Sequence, residues 1–131
     1  MKTGESKAIT KGVCVSVKSF FVPERSDPEK NFYFFAYQII IQNLSEIEVQ
    51  LISRHWIISD ANGRVEQVRG EGVIGEQPVL SPGEAFSYTS ACPLSTPVGS
   101  MMGSYQMESA DGAYFDAQVA AFTLALPQAL N

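Results

Sequence analysis

A single histidine and only two cysteines, Cys14 and Cys92, leave little from which to build a transition-metal site or a redox centre. A closed zinc set needs four nitrogen or sulfur ligands, and no CxxC or His–Cys spacing supplies them. The two cysteines lie far apart and read as small free hydrophobes, not as a disulfide, which fits the cytoplasm. Positive charge is scarce as well: nine Lys and Arg against 14 Asp and Glu give a net charge of -5. That is the wrong balance for affinity gained by neutralising nucleic-acid phosphates. No apolar run approaches the roughly 20 residues of a membrane helix. The segment Met1-Lys2-Thr3-Gly4-Glu5-Ser6-Lys7 has charge but no apolar stretch behind it, so it reads as a flexible tail and not a signal peptide. Neither nucleic acid nor membrane is an expected partner.

Amphipathic helices are missing too. The apolar segments are short, rich in β-branched and aromatic residues, and bounded by Gly, Pro, Asn or Asp, which is the pattern of strands. Val13, Val15 and Val17 alternate with Cys14, Ser16 and Lys18 in a half-buried strand. The loop Pro23–Asn31 precedes Phe32–Ile41, which is almost wholly apolar and is expected at the centre of a sheet, covered on both faces. In the next strand Ile47, Val49 and Leu51 are in phase, but the apolar phase then moves to Ile52, Trp56 and Ile58. Such a shift marks a β-bulge. Asn62-Gly63 predicts a type I′ hairpin turn, Ser81-Pro82-Gly83 a tight turn, and Asp111-Gly112 a hairpin into the last strand, Ala113–Leu126. The reading is an all-β, antiparallel two-sheet sandwich of seven to eight strands, of the fibronectin type III or immunoglobulin-like kind. Residues 1–8 are expected as a tail, 9–126 as the domain and 127–131 as a second tail.

Gly70-Glu71-Gly72-Val73-Ile74-Gly75 spells the GxGxxG of dinucleotide-binding proteins. That motif works at a helix N-terminus inside a βαβ unit, and Pro78 with its strand-like flanks excludes the context here. Two readings stay open for the stretch. Successive glycine amides, with Arg69 and Arg64 nearby and Glu71 and Glu76 opposing, could form an anion-binding nest; or the glycines supply positive φ in a sharp connection. His55, with Ser53 and with Asp60 or Asp116, has the residue types of a catalytic triad but not its usual origin on separate loops. Asp60-Ala61-Asn62-Gly63 resembles the start of a calcium loop, yet its glycine comes early and the closing Glu is missing. Trp56 and Met101 are expected in the core; Met102 is left as a candidate contact.

From Ser53-Arg54-His55-Trp56-Ile57-Ile58 through Val68-Arg69-Gly70-Glu71-Gly72-Val73-Ile74-Gly75-Glu76-Gln77-Pro78, the sequence resembles the ApaG family. The resemblance continues through Ser81-Pro82-Gly83-Glu84, Tyr88-Thr89-Ser90, Gly99–Met107 and Phe122-Thr123-Leu124. It departs at Ala91, where glycine is common, and at Ala120, where proline is usual. It implies a sandwich domain of unestablished biochemical activity, named for gene adjacency to a diadenosine tetraphosphate hydrolase and linked to cobalt resistance and magnesium efflux. It also implies kinship with domains of a eukaryotic F-box protein and a DNA-polymerase-interacting protein. In that family the glycines matching Gly70, Gly72 and Gly75 have been suspected of holding nucleotides or pyrophosphate.

The expected function is a non-enzymatic, cytoplasmic binding module without metal or cofactor. Its loops, chiefly Gly70–Gln77 and Gly99–Gly103, would face a protein partner not identified by the sequence. The alternative is pyrophosphate or a dinucleotide polyphosphate held by Arg69 and the glycine loop. No residue set joins a nucleophile to a matched acid or base. An open strand edge would also allow a homodimer.

Overall fold

The computed structural model describes residues 4–127. Its strands are β1 (Glu5–Thr10), β2 (Val13–Phe21), β3 (Tyr33–Asn43), β4 (Val49–Asp60), β5 (Val65–Glu71), β6 (Val79–Leu80), β7 (Ala85–Leu94), β8 (Val98–Ser109) and β9 (Tyr114–Ala125). They make two antiparallel sheets, ordered β1-β2-β3-β7 and β5-β4-β8-β9, with β6 paired to β4. The expected sandwich is therefore present, with nine strands among the described residues. No helix among them is long and apolar enough to cross a membrane.

Alternation builds the core. Val13, Val15 and Val17 of β2 and Phe35, Tyr37, Ile39 and Ile41 of β3 face Leu51, Trp56, Met101, Tyr105, Met107, Phe122 and Leu124 of the other sheet, all buried. Each such large side chain taken from water contributes about 1.5–3 kcal/mol before entropy is counted. Trp56 stands edge-on to Tyr37, Tyr105 and Phe122. The two buried hydroxyls of Tyr88 and Tyr105 hydrogen-bond each other, so neither is left unsatisfied. Cys14 and Cys92 are buried free thiols, as expected.

Several expectations need correcting. Residues 1–8 are not all tail, because β1 begins at Glu5 and pairs with β2 from Glu5↔Lys18 to Thr10↔Val13. The turn between them is Lys11-Gly12, both at positive φ (48° and 82°). Of the C-terminal tail, residues 128–131 lie outside the described residues. β3 is central but covered on one face only: Ile40 is 41% exposed and Phe34 half-buried, with the Arg25 guanidinium 4.4 Å above its ring. The β4–β5 turn is not type I′, since only Gly63 of the Asn62-Gly63 pair has positive φ (83°). The Asp60 carboxylate accepts the Asn62 and Arg64 amides at 2.8 and 3.0 Å and favours a three-residue loop closed by a left-handed glycine.

The two sides of the sandwich differ. On one, β9 is tied to β1 and β2: Ser6 Oγ donates to Ala120 O (2.7 Å), Ser19 Oγ to Thr123 O (2.7 Å), and the Gln118 amide to Thr10 Oγ1 (3.1 Å). On the other, the edge strands β5 and β7 stand apart and leave a cleft between them.

Candidate functional site

The opening between β5 and β7 is a cleft of ≈ 490 Å³, within the ~300–1,000 Å³ of typical ligand pockets. Its floor is Tyr37, Trp56 and Cys92, its β7 wall includes Ser90 and Leu94, and its other wall carries Arg54, Ile58, Arg64, Glu66 and Val68. The bulge sets this lining. The pairing of β4 with β8 slips between Leu51 and Ser53, so Ile52 is the extra residue. Without the slip Ser53 and His55 would continue the inward phase of Val49 and Leu51. With it Arg54, Trp56 and Ile58 turn inward, while Ser53 and His55 go to the outer face.

Arg54 organises one end of the cleft. Its Nη1 donates to Glu71 O (3.1 Å) and Gly72 O (2.8 Å). It can lie there because its ladder partner is Gly70, where a Cβ would sit 2.8 Å from the Arg54 Cζ. Beyond Gly70 the chain folds into a small hairpin. The Val73 amide donates to Glu76 O (2.8 Å) and the Glu76 amide to Val73 O (2.9 Å), around Ile74 and Gly75 at φ 43° and 80°. That is the geometry of a type I′ turn. Gly72 is required twice over, by φ 61° and by Glu76 O, which a Cβ would approach to 2.2 Å. Val73 is buried at 1% exposure and anchors the hairpin, whereas Ile74 is 60% exposed at its tip.

The residues singled out from the sequence thus separate. Glu71, Ile74 and Glu76 are exposed around the hairpin, and Val73 is core. Arg69 lies beside His55 on the outer face, and Arg64 lines the far end of the cleft. Met102 is 48% exposed on the outer face, one residue from buried Met101. The Gly72 amide donates to Ile52 O (2.8 Å), so the amides of Gly72, Val73 and Glu76 are all turned onto the protein's own carbonyls. Sequence reasoning missed Arg54, Tyr37, Ser90 and Cys92. The bulge was the available signal for Arg54, since a phase shift that puts Trp56 inside must put Arg54 inside as well.

Ser53, His55 and Asp116 do share a shallow outer surface. They form no relay: Ser53 Oγ donates to Gln106 Oε1 (2.8 Å) and His55 Nε2 bonds Gln67 Oε1 (2.9 Å). In the cleft, burial and then the negative charge of Glu66 push the Cys92 thiol up to about 11, which keeps it protonated and a poor nucleophile at neutral pH. Burial raises the Tyr37 hydroxyl as well. Among the described residues no group of three His, Cys, Asp or Glu is placed to hold a metal. The arrangement suits reversible binding through the cations of Arg54 and Arg64, hydroxyls, apolar walls and two open strand edges.

Comparison with known proteins places the chain. The family model of the ApaG domain matches residues 23–109. Protein ApaG of Aromatoleum aromaticum is 58% identical over 85% of this chain and 87% of its own length, and Protein ApaG of Dechloromonas aromatica 54% identical over the same shares. A crystal structure from Bordetella pertussis, titled ApaA, superposes with a TM-score of 0.87 at 50% identity, covering 88% of this chain and 94% of that one. The match spans both sheets, the bulged β4 and the glycine hairpin, and on those grounds the chain belongs to the ApaG family.

Proposed function

We propose that the domain is a non-catalytic protein-binding module of the cytoplasm, working through the β5–β7 cleft and the hairpin at its end. Ile74 carries this reading. A β-branched residue at φ 43° is strained, and 60% exposure means packing does little to offset the strain. A turn selected for stability alone would hold Asn or Gly there. An apolar side chain kept at a strained, solvent-facing tip is suited to contact with another molecule. The link to cobalt resistance and magnesium efflux would then run through that partner. The small-anion reading has less to stand on, since the amides of Gly72, Val73 and Glu76 are occupied and Arg69 lies on the outer face.

Co-purification of the tagged domain from its own host tests the proposal. A specific protein should be captured by the wild type and lost with Ile74→Asn or with Glu71→Lys/Glu76→Lys. An unchanged set of captured proteins would remove the hairpin from the interface. Calorimetry with pyrophosphate checks the anion reading, which heat at micromolar ligand would restore.

A further inference from the structure

Resting on that reading, we infer that the partner contributes an extended segment that adds as a new outer strand to β7, with one of its carboxylates directed at Arg54. The Asn43 amide donates to Glu84 O (2.9 Å), and the β3–β7 register continues from that pair through Ile41↔Phe86 and Ile39↔Tyr88. Antiparallel alternation then aims the main-chain groups of Phe86, Tyr88, Ser90 and Cys92 at β3 and those of Ser87, Thr89 and Ala91 at the free edge. Pro93 falls on the outward set, where its missing N–H breaks no ladder bond.

Exposed edges are ordinarily guarded by charge or covered. β5 carries Glu66, Arg69 and Glu71, and β1 and β9 are tied across the closed side. β7, from Ala85 to Leu94, has no charged residue at all. An unguarded edge beside a cleft suits strand addition, in which main-chain bonds supply affinity and alternate side chains enter pockets.

The cleft specifies those side chains. Near Ser90 and Tyr37 the cation of Arg54 meets only neutral carbonyls through Nη1, so its remaining donors suit an Asp or Glu. Two residues along, Trp56 and Val68 suit an apolar side chain. At the far end Asp60 and Glu66 outnumber Arg64 and disfavour a second acid there. A second copy of this chain is a poorer occupant: the inward side chains of its own β7, Tyr88, Cys92 and Leu94, are buried in its own core and would leave the cleft unfilled.

Selection of a displayed library of random linear peptides on the purified domain provides the probe. Enriched sequences should carry an acid and an apolar residue two positions apart. A synthetic copy of the best one should lose about tenfold in affinity when its acid becomes the amide, and about tenfold on Thr89→Pro, which leaves an acceptor of the peptide unpaired. Thr89→Pro should melt near the wild type because its N–H points outward. N-methylation of alternate peptide amides makes the same cut without touching the protein. Undiminished binding in both the Thr89→Pro and N-methyl arms overturns the inference, as does a library that yields no acid-containing motif. A wild-type dimer in sedimentation that Thr89→Pro dissolves also overturns it, in favour of a second copy. Capture of the host partner that survives Thr89→Pro but falls with Ile74→Asn leaves the protein-binding reading standing and removes strand addition alone.

Discussion

Gly103 faces the carbonyl of His55 across the β4–β8 ladder, where a Cβ would lie 2.0 Å from the oxygen. The two central strands can approach there only without a side chain, so Gly103→Ala should cost on the order of 3 kcal/mol or prevent folding, as read from urea unfolding. Ile74→Asn should act in the other direction. Relieving a left-handed β-branched residue should stabilise by about 1 kcal/mol in the same measurement, so stability and partner capture should move oppositely. Cys92 gives the fold a pH limit. The thiol titrates ordinarily at 9.0 and is raised to about 11 in the fold. Between those values the unfolded chain has lost the proton while the native state keeps it, so stability is complete below about pH 9 and falls as pH rises toward 11. Thermal melts from pH 7 upward should show that decline. The hydroxyls of Tyr88 and Tyr105, also raised by burial, extend it at higher pH.

Strands with an apolar face could be read from the sequence, and the strand without one could not. β2 announces itself by Val13, Val15 and Val17. β1 has Ile9 61% exposed and buries chiefly Ser6, so it offers no periodic signal. Hydrogen bonds to β2 and β9 hold it, and such partners do not show in a local pattern. Removing residues 1–10 should therefore lower the melting temperature, expose the edge of β2 and promote aggregation, measurable by scanning calorimetry and light scattering. The bulge was legible because it moves the apolar phase, and its consequence for Arg54 follows from the same shift. The β4–β5 turn was misread because Asn-Gly fits two hairpin geometries. The Asp60 carboxylate, two residues upstream of Asn62, decides between them. The cleft was illegible from sequence because its walls, β5 and β7, meet only through the topology.

A net charge of -5 and an isoelectric point near 4.8 set how whole molecules meet. Near pH 4.8 the repulsion between copies vanishes while the β7 edge stays uncharged, so turbidity should peak there and fall with Thr89→Lys, which places a charge on that edge. The sandwich itself is lopsided, stitched along β1 and β9 and open along β5 and β7. Ser19 Oγ bridges Gly4 O (3.1 Å) and Thr123 O (2.7 Å), which brings the described beginning of the chain beside its last strand on the stitched side. A domain fused ahead of Gly4, or a surface to which that end is anchored, would thus be joined on the side away from the cleft. The fold can be tethered or displayed in arrays through that end with its open side still facing outward.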